Sequence, residues 1–215
     1  DNKQFLRDAQ MEAVKHMTNG CILNGGTGSG KSRTAFIITL KKMVVVFGAG
    51  ISFYEDPCDL YIITTAMKRD SHEWNGELAN YRMSTDSQKN ELYNNKIVID
   101  SWNNIKKYAD IKDGFYFDED RVTGSGTWVK IFLKIARSNK WIILSATPGD
   151  TWEDYIPVFI ANGFIKQTEF SREHIIYSRF TKYPQIERYI NTGRLIRLRN
   201  KILVDIDMKR HTILI

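Results

Sequence analysis

The run Gly25-Gly26-Thr27-Gly28-Ser29-Gly30-Lys31-Ser32 constrains the fold of this chain more than any other feature. It matches G-x-x-x-x-G-K-[ST] and lies between a short apolar run, Cys21-Ile22-Leu23, and a stretch from Arg33 to Lys42 that reads as a helix. A strand feeding a glycine loop that opens a helix suits one ligand chemistry. The glycines let successive N–H groups turn toward phosphate oxygens, and the helix presents its positive end to them. Lys31 would reach β- and γ-phosphates and Ser32 would ligate Mg²⁺, with Gly25, Gly26, Thr27, Gly28, Ser29, Gly30 and Arg33 completing the cradle. The competing reading, a merely flexible glycine loop, requires the match and both of its flanks to be coincidental.

The remaining pattern fits the sheet that such a loop needs. Phe5, Leu6, Ala9, Ala13, Val14 and Met17 stand at helical spacing ahead of the first strand. Four short runs, Tyr61 to Thr65, Lys96 to Asp100, Phe115 to Phe117 and Trp141 to Leu144, are β-branched or aromatic and are each followed by a helix-permissive segment. Strands alternating with helices predict an α/β fold, a mostly parallel sheet with helices on both faces, because parallel neighbours need crossover connections. Ligands then sit at the carboxyl ends of the strands. Gly48 to Asp59 reads as a surface loop between the first helix and the second strand. After Pro148 the rhythm changes: Thr151 to Asn162 reads as a helix, and the segment to about Tyr189 is aromatic and charged without clear strands. The expected division is a nucleotide-binding unit over 1–150 and a helical extension over 151–215.

Composition narrows the setting. The 215 residues are 42% hydrophobic and 26% charged, enough to bury a real core. No run approaches the roughly 18 apolar residues of a membrane span, so no membrane partner is expected. Cys21 and Cys58 are the only cysteines and the four histidines are scattered, against a disulfide framework or a zinc site and in favour of a reducing, cytoplasmic compartment. Thirty-one Lys plus Arg against 25 Asp plus Glu leave a net charge of +6, a modest excess that favours a polyanion such as nucleic acid. The chain opens Asp1-Asn2-Lys3, which reads as a fragment or a trimmed product.

A metal-holding, water-polarising acidic element should end a neighbouring buried strand. Phe117-Asp118-Glu119-Asp120-Arg121 supplies it, with Asp118 for Mg²⁺ and Glu119 for the hydrolytic water; an acidic run on its own is more often a solvated turn.

Together these residues resemble superfamily-two helicases. The loop at 25–32, Asp118-Glu119, and Ser145-Ala146-Thr147-Pro148 after a strand are similar in order and spacing to motifs I, II and III of the first RecA-like, DEAD/DEAH-type lobe. The resemblance sharpens toward the Swi/Snf-like branch and its small bacteriophage members. Leu6 to Gln10 is similar to the adenine-reading element, with Gln10 as the base contact. Thr64 to Arg69 followed by Trp74 resembles motif Ia, Ile99 to Trp102 resembles the later strand-end motif that touches nucleic-acid backbone, and Arg194 to Lys201 resembles the basic segment leading toward the second lobe. Motif II departs from DEAD or DEAH by reading DEDR, with Asp120 and Arg121 where the coupling residues usually stand, and motif III reads SAT where the Swi/Snf branch has a GT-containing form.

The resemblance implies a RecA-like P-loop NTPase lobe that uses ATP and Mg²⁺ to move on DNA. Ser145, Ala146 and Thr147 would couple ATP to nucleic acid. A second RecA-like lobe beyond Ile215 would supply arginine fingers, and the setting would be the host-cell cytoplasm for a phage protein. Thr65, Lys68, Arg69, Ser101, Trp102 and Asn103 are the candidate phosphate contacts. Trp102 could equally fill core, and Lys68 and Arg69 could equally be solvated surface. An RNA helicase, served by the same motifs, and a non-catalytic nucleotide-binding scaffold are the alternatives.

Overall fold

The computed structural model describes residues 6–36, 44–47, 50–53, 58–89, 96–118 and 126–206, with the backbone alone for 44–47, 50–53 and 115–118. In chain order the elements are α1 (Asp8–His16), β1 (Ile22–Asn24), α2 (residues 31–36), β2 (Val44–Phe47), β3 (Gly50–Phe53), β4 (Leu60–Thr64), α3 (Ala66–Asp70) and α4 (Glu73–Ala79). Then come β5 (Ile97–Ser101), a 3₁₀ segment (Trp102–Tyr108), β6 (Phe115–Asp118), α5 (Thr127–Ala136), β7 (Lys140–Ser145), α6 (Trp152–Ala161) and α7 (Gln167–His174). The last described elements are β8 (Ile175–Tyr177), β9 (Ile186–Tyr189), α8 (Thr192–Ile202) and β10 (Leu203–Asp205).

Six strands form one sheet in the order β10-β1-β7-β6-β4-β5, and every pairing is parallel. All six carboxyl ends therefore share one edge. Alternation along the strands sends side chains into two cores. Leu23, Ile62, Ile142, Leu144 and Val204 pack with Val14, Phe36, Trp74 and Leu78 from α1, α2 and α4. Ile22, Ile63, Trp141 and Ile143 pack on the other face with Phe132, Phe159, Leu195 and Ile202 from α5, α6 and α8. Continuous burial of β4 and near-continuous burial of β7 follow from cover on both faces.

Residues 151–206 hold three helices and also three strands. Their helices share the second core with β1, β4 and β7, and β10 adds to the sheet beside β1, where Asn24 Nδ2 donates to Asp205 Oδ1 at 2.6 Å. Two antiparallel hairpins correct the expected reading. Within the expected loop at 48–59, Gly50–Phe53 pairs with Val44–Phe47, and within the segment expected to lack strands, Ile175–Tyr177 pairs with Ile186–Tyr189. Both contain β-branched and aromatic residues that favour an extended backbone. Among the described residues no helix is long and apolar enough to cross a membrane.

Candidate functional site

The loop after β1 leaves the sheet at its carboxyl edge and is fixed from three sides. Gly25 N–H donates to Ser145 O at 3.1 Å, tying it to the end of β7; Ser29 N–H donates to Gly26 O at 3.1 Å; and Thr34 donates to Gly30 O through both N–H and Oγ1, closing the first turn of α2. Gly28 and Gly30 have φ of +77° and +81°, left-handed conformations that side chains with a Cβ rarely adopt. The Lys31 ammonium donates to Gly25 O at 2.6 Å and Gly26 O at 3.1 Å, so the cation stands at the loop's concave face. Ser29 is buried, and its Oγ has no hydrogen-bond partner.

A cavity of about 590 Å³ opens over the loop, walled by Thr27 to Arg33 and by Leu144 to Thr147. Its remaining lining comes from Arg7 and Gln10 at the start of α1 and from Lys68, Glu73 and Glu77. The volume lies within the roughly 300–1,000 Å³ of small-molecule sites. A Cβ on Gly28, which lines the cavity, would meet only open space, so the backbone there is bare toward it. Bare N–H-bearing backbone, a lysine and a helix start fit a polyphosphate. Ser32 lines the cavity at the start of α2 and Asp118 ends β6, separated from β1 by β7 alone. These two residue types fit a hydrated Mg²⁺; the Asp118 side chain, Glu119, Asp120 and Arg121 lie outside the described side chains.

Several expected contacts are also engaged within the fold. Gln10 is buried and braces the loop: its Nε2 donates to Ser29 O at 3.3 Å and Gly30 O at 3.1 Å while its Oε1 accepts from Arg7 N–H at 2.9 Å. Gln10 also lines the cavity, where the sequence reading set its base contact. Ser145, Ala146 and Thr147 do border the cavity, and Ser145 Oγ accepts from Thr147 N–H at 3.1 Å to form a tight turn. Arg7, Glu73 and Glu77 were not singled out by the sequence. The i,i+4 spacing of the two glutamates is the available signal, since it sets them on one face of α4 while Trp74 packs edge-on against Phe36 of α2, centroids 5.5 Å apart.

The six candidate phosphate contacts differ in exposure and engagement. Lys68 lines the nucleotide cavity, and Thr65 caps α3 by accepting from Lys68 N–H at 3.3 Å. Arg69 is clamped, its guanidinium donating to Asp70, to Asp100 at 3.3 Å and to Ser101 Oγ at 3.3 Å. Ser101 and Trp102 are buried, and Trp102 packs against Trp128 at 5.9 Å, so its ring fills core as tryptophans tend to do. Asn103 alone of the six is exposed. Asp100 organises this corner. Burial opposes its ionisation, but hydrogen bonds from Asn104 at 2.7 Å, Tyr108 at 2.6 Å, Ser101 N–H and Arg69 outweigh it and hold the carboxyl down at about 2. The same pair, after burial, pushes the Tyr108 phenol up.

No protein-family model matches the chain, and no curated protein matches it.

Proposed function

We propose that this chain binds ATP at the loop 25–32 and is the first lobe of a DNA-dependent ATPase of the helicase or translocase class. The observation that carries the nucleotide half is the bare-backbone cradle at the carboxyl end of β1, with Lys31 on its concave face and α2 opening behind it. Hydrolysis is supported by the strand order, since β6 with Asp118 at its end lies one strand away from β1 on the same sheet edge. Asp118 and Ser32 would hold Mg²⁺, which would neutralise phosphate charge, and Glu119 would orient the attacking water. The bond between Gly25 and Ser145 gives the 145–147 turn direct sight of the loop's conformation, as a coupling element requires. DNA as the partner rests on the resemblance to the Swi/Snf-like branch and on the +6 charge.

A second RecA-like lobe would complete the ATP site with arginines, whose contribution in related phosphoryl-transfer enzymes is about 10³- to 10⁵-fold in rate. The chain by itself is therefore expected to bind a fluorescent ATP analogue weakly and hydrolyse ATP barely. Lys31→Ala should weaken analogue binding at least about tenfold with the far-UV circular dichroism unchanged, because Lys31 contributes to no core. Unchanged affinity would remove the loop from the nucleotide site. Steady-state ATPase of the chain with its completing lobe, with duplex DNA, RNA or neither added, separates a DNA motor from an RNA motor and from a scaffold.

A further inference from the structure

The β8–β9 hairpin carries a surface that the nucleotide site does not use. Tyr177, Phe180 and Tyr183 are 41%, 97% and 72% exposed, the last two among the most exposed large apolar side chains described. Arg179, Lys182 and Arg188 are exposed among them and make no ion pair with a described residue, and Glu187 is the one acid between Ile175 and Ile190. The Lys182 ammonium lies 5.9 Å from the Tyr183 ring centroid.

This is a built arm. A two-stranded ribbon is marginal alone, so its base must be held. Ile175 is buried, His174 Nδ1 bonds Ile190 O at 3.1 Å, Asn191 Nδ2 donates to Glu173 O at 2.9 Å, and Arg194 bridges Glu169 and Glu173 at 2.8 and 2.7 Å. The tip is ordered by Ser178 N–H to Gln185 O at 2.8 Å and by Thr181 Oγ1 to Tyr183 O at 2.7 Å. Tyr189 is partly buried against the second core, to which α6 contributes.

We infer that this hairpin is a binding arm for single-stranded nucleic acid, stacking unpaired bases on Phe180 and Tyr183 while Arg179 and Lys182 neutralise phosphates. Aromatic rings held in water at the tip of an ordered ribbon, interleaved with uncompensated cations, match the chemistry of a base-and-backbone ligand and of no acidic protein surface as well. Unpaired bases are required because a duplex hides their faces. The inference rests on the motor reading only for its choice of partner; none of these residues is among the six candidates at the strand ends.

The test is fluorescence anisotropy of labelled oligothymidylate and oligouridylate with the full chain over a salt series, beside titration of a fluorescent ATP analogue. Phe180→Ala/Tyr183→Ala should weaken oligonucleotide binding about 5- to 100-fold for each stack lost, with the salt dependence unchanged. Arg179→Ala/Lys182→Ala should instead flatten the log–log salt slope by about 1.4. Both variants should bind the ATP analogue as the parent does, since they remove exposed atoms. The tighter of the two oligonucleotides identifies DNA or RNA as the source of the bases. Parent-like binding by both variants overturns the arm and leaves the motor reading standing. A parent chain that binds the ATP analogue but neither oligonucleotide overturns the arm and the nucleic-acid half of that reading together. Loss, in the same variants, of self-association or of binding to phosphatidylserine vesicles, with oligonucleotide affinity unchanged, assigns the surface to a second copy or a membrane and overturns the proposal.

Discussion

Gly30 and Gln10 meet where the loop turns into α2, and the contact explains why each residue is what it is. A Cβ on Gly30 would come within 2.2 Å of Gln10 Nε2, at a backbone φ of +81° that already disfavours any side chain. Gly30→Ala should therefore cost about 1–3 kcal/mol in urea unfolding, from backbone strain and the displaced brace. Adding Gln10→Ala should relieve the steric part, so the double variant should be less destabilised than the sum of the two; strict additivity would show that the brace is not coupled to the turn. The loop was legible in the sequence because its chemistry requires fixed residue types at fixed spacing. The brace that Gln10 supplies was not legible, because which backbone carbonyls an amide reaches depends on the angle at which α1 docks. The place of Lys68 in the cavity lining was not legible for the same reason: a five-residue helix offers no periodicity from which to orient its faces.

At the scale of elements, the corner formed by α3, β5 and the 3₁₀ segment depends on one carboxylate. Asp100 has its folded pKa, about 2, below the roughly 3.9 of an unfolded aspartate, so folding favours its ionised form. Its contribution to stability is fully present above about pH 4 and is lost as the pH falls through about 2. Free energies of unfolding measured across that window should fall less steeply for Asp100→Asn than for the parent, and at neutral pH the variant should be less stable by about 2–3 kcal/mol through its weakened partners. Equal slopes would place the acid sensitivity in other carboxylates. The parallel strands β4, β5, β6 and β7 were readable as apolar runs of four to six residues with polar flanks. The strands that escaped had no such frame: β2, though wholly apolar, and β3 lie in a hairpin beside the segment read as the first helix and a loop. β8 and β10 have three residues each and continue directly from helices, with no turn residue to mark the change, and β9 reads Ile-Glu-Arg-Tyr on a ribbon with little to bury.

For the molecule as a whole, the composition change after Pro148 does not coincide with a break in packing. Phe159, Leu195 and Ile202 are buried against a sheet built mostly from the first 150 residues, and β10 pairs along the whole of β1. A chain ending at residue 150 would lose α6 and α8 from the second core, leaving α5 and the 3₁₀ segment as the helical cover of Ile22, Ile63 and Ile143, and should fail to fold cooperatively. Its thermal transition by near-ultraviolet circular dichroism should be absent or broad, with strong binding of a hydrophobic dye, whereas the full chain should melt in one step. A sharp transition in the truncated chain would show that its first core suffices. The sequence-based boundary followed a change in residue type, whereas the physical unit follows the side chains that the second face of the sheet needs. The position of β10 also has a consequence for biosynthesis. Asn24 and Asp205 are separated by 181 positions, a stretch that a ribosome takes roughly 10–40 s to make at 5–20 residues per second. Throughout that interval the strand leading into the glycine loop emerges without its outer neighbour, so chaperone occupancy on the nascent chain should persist until residue 205 has cleared the exit tunnel.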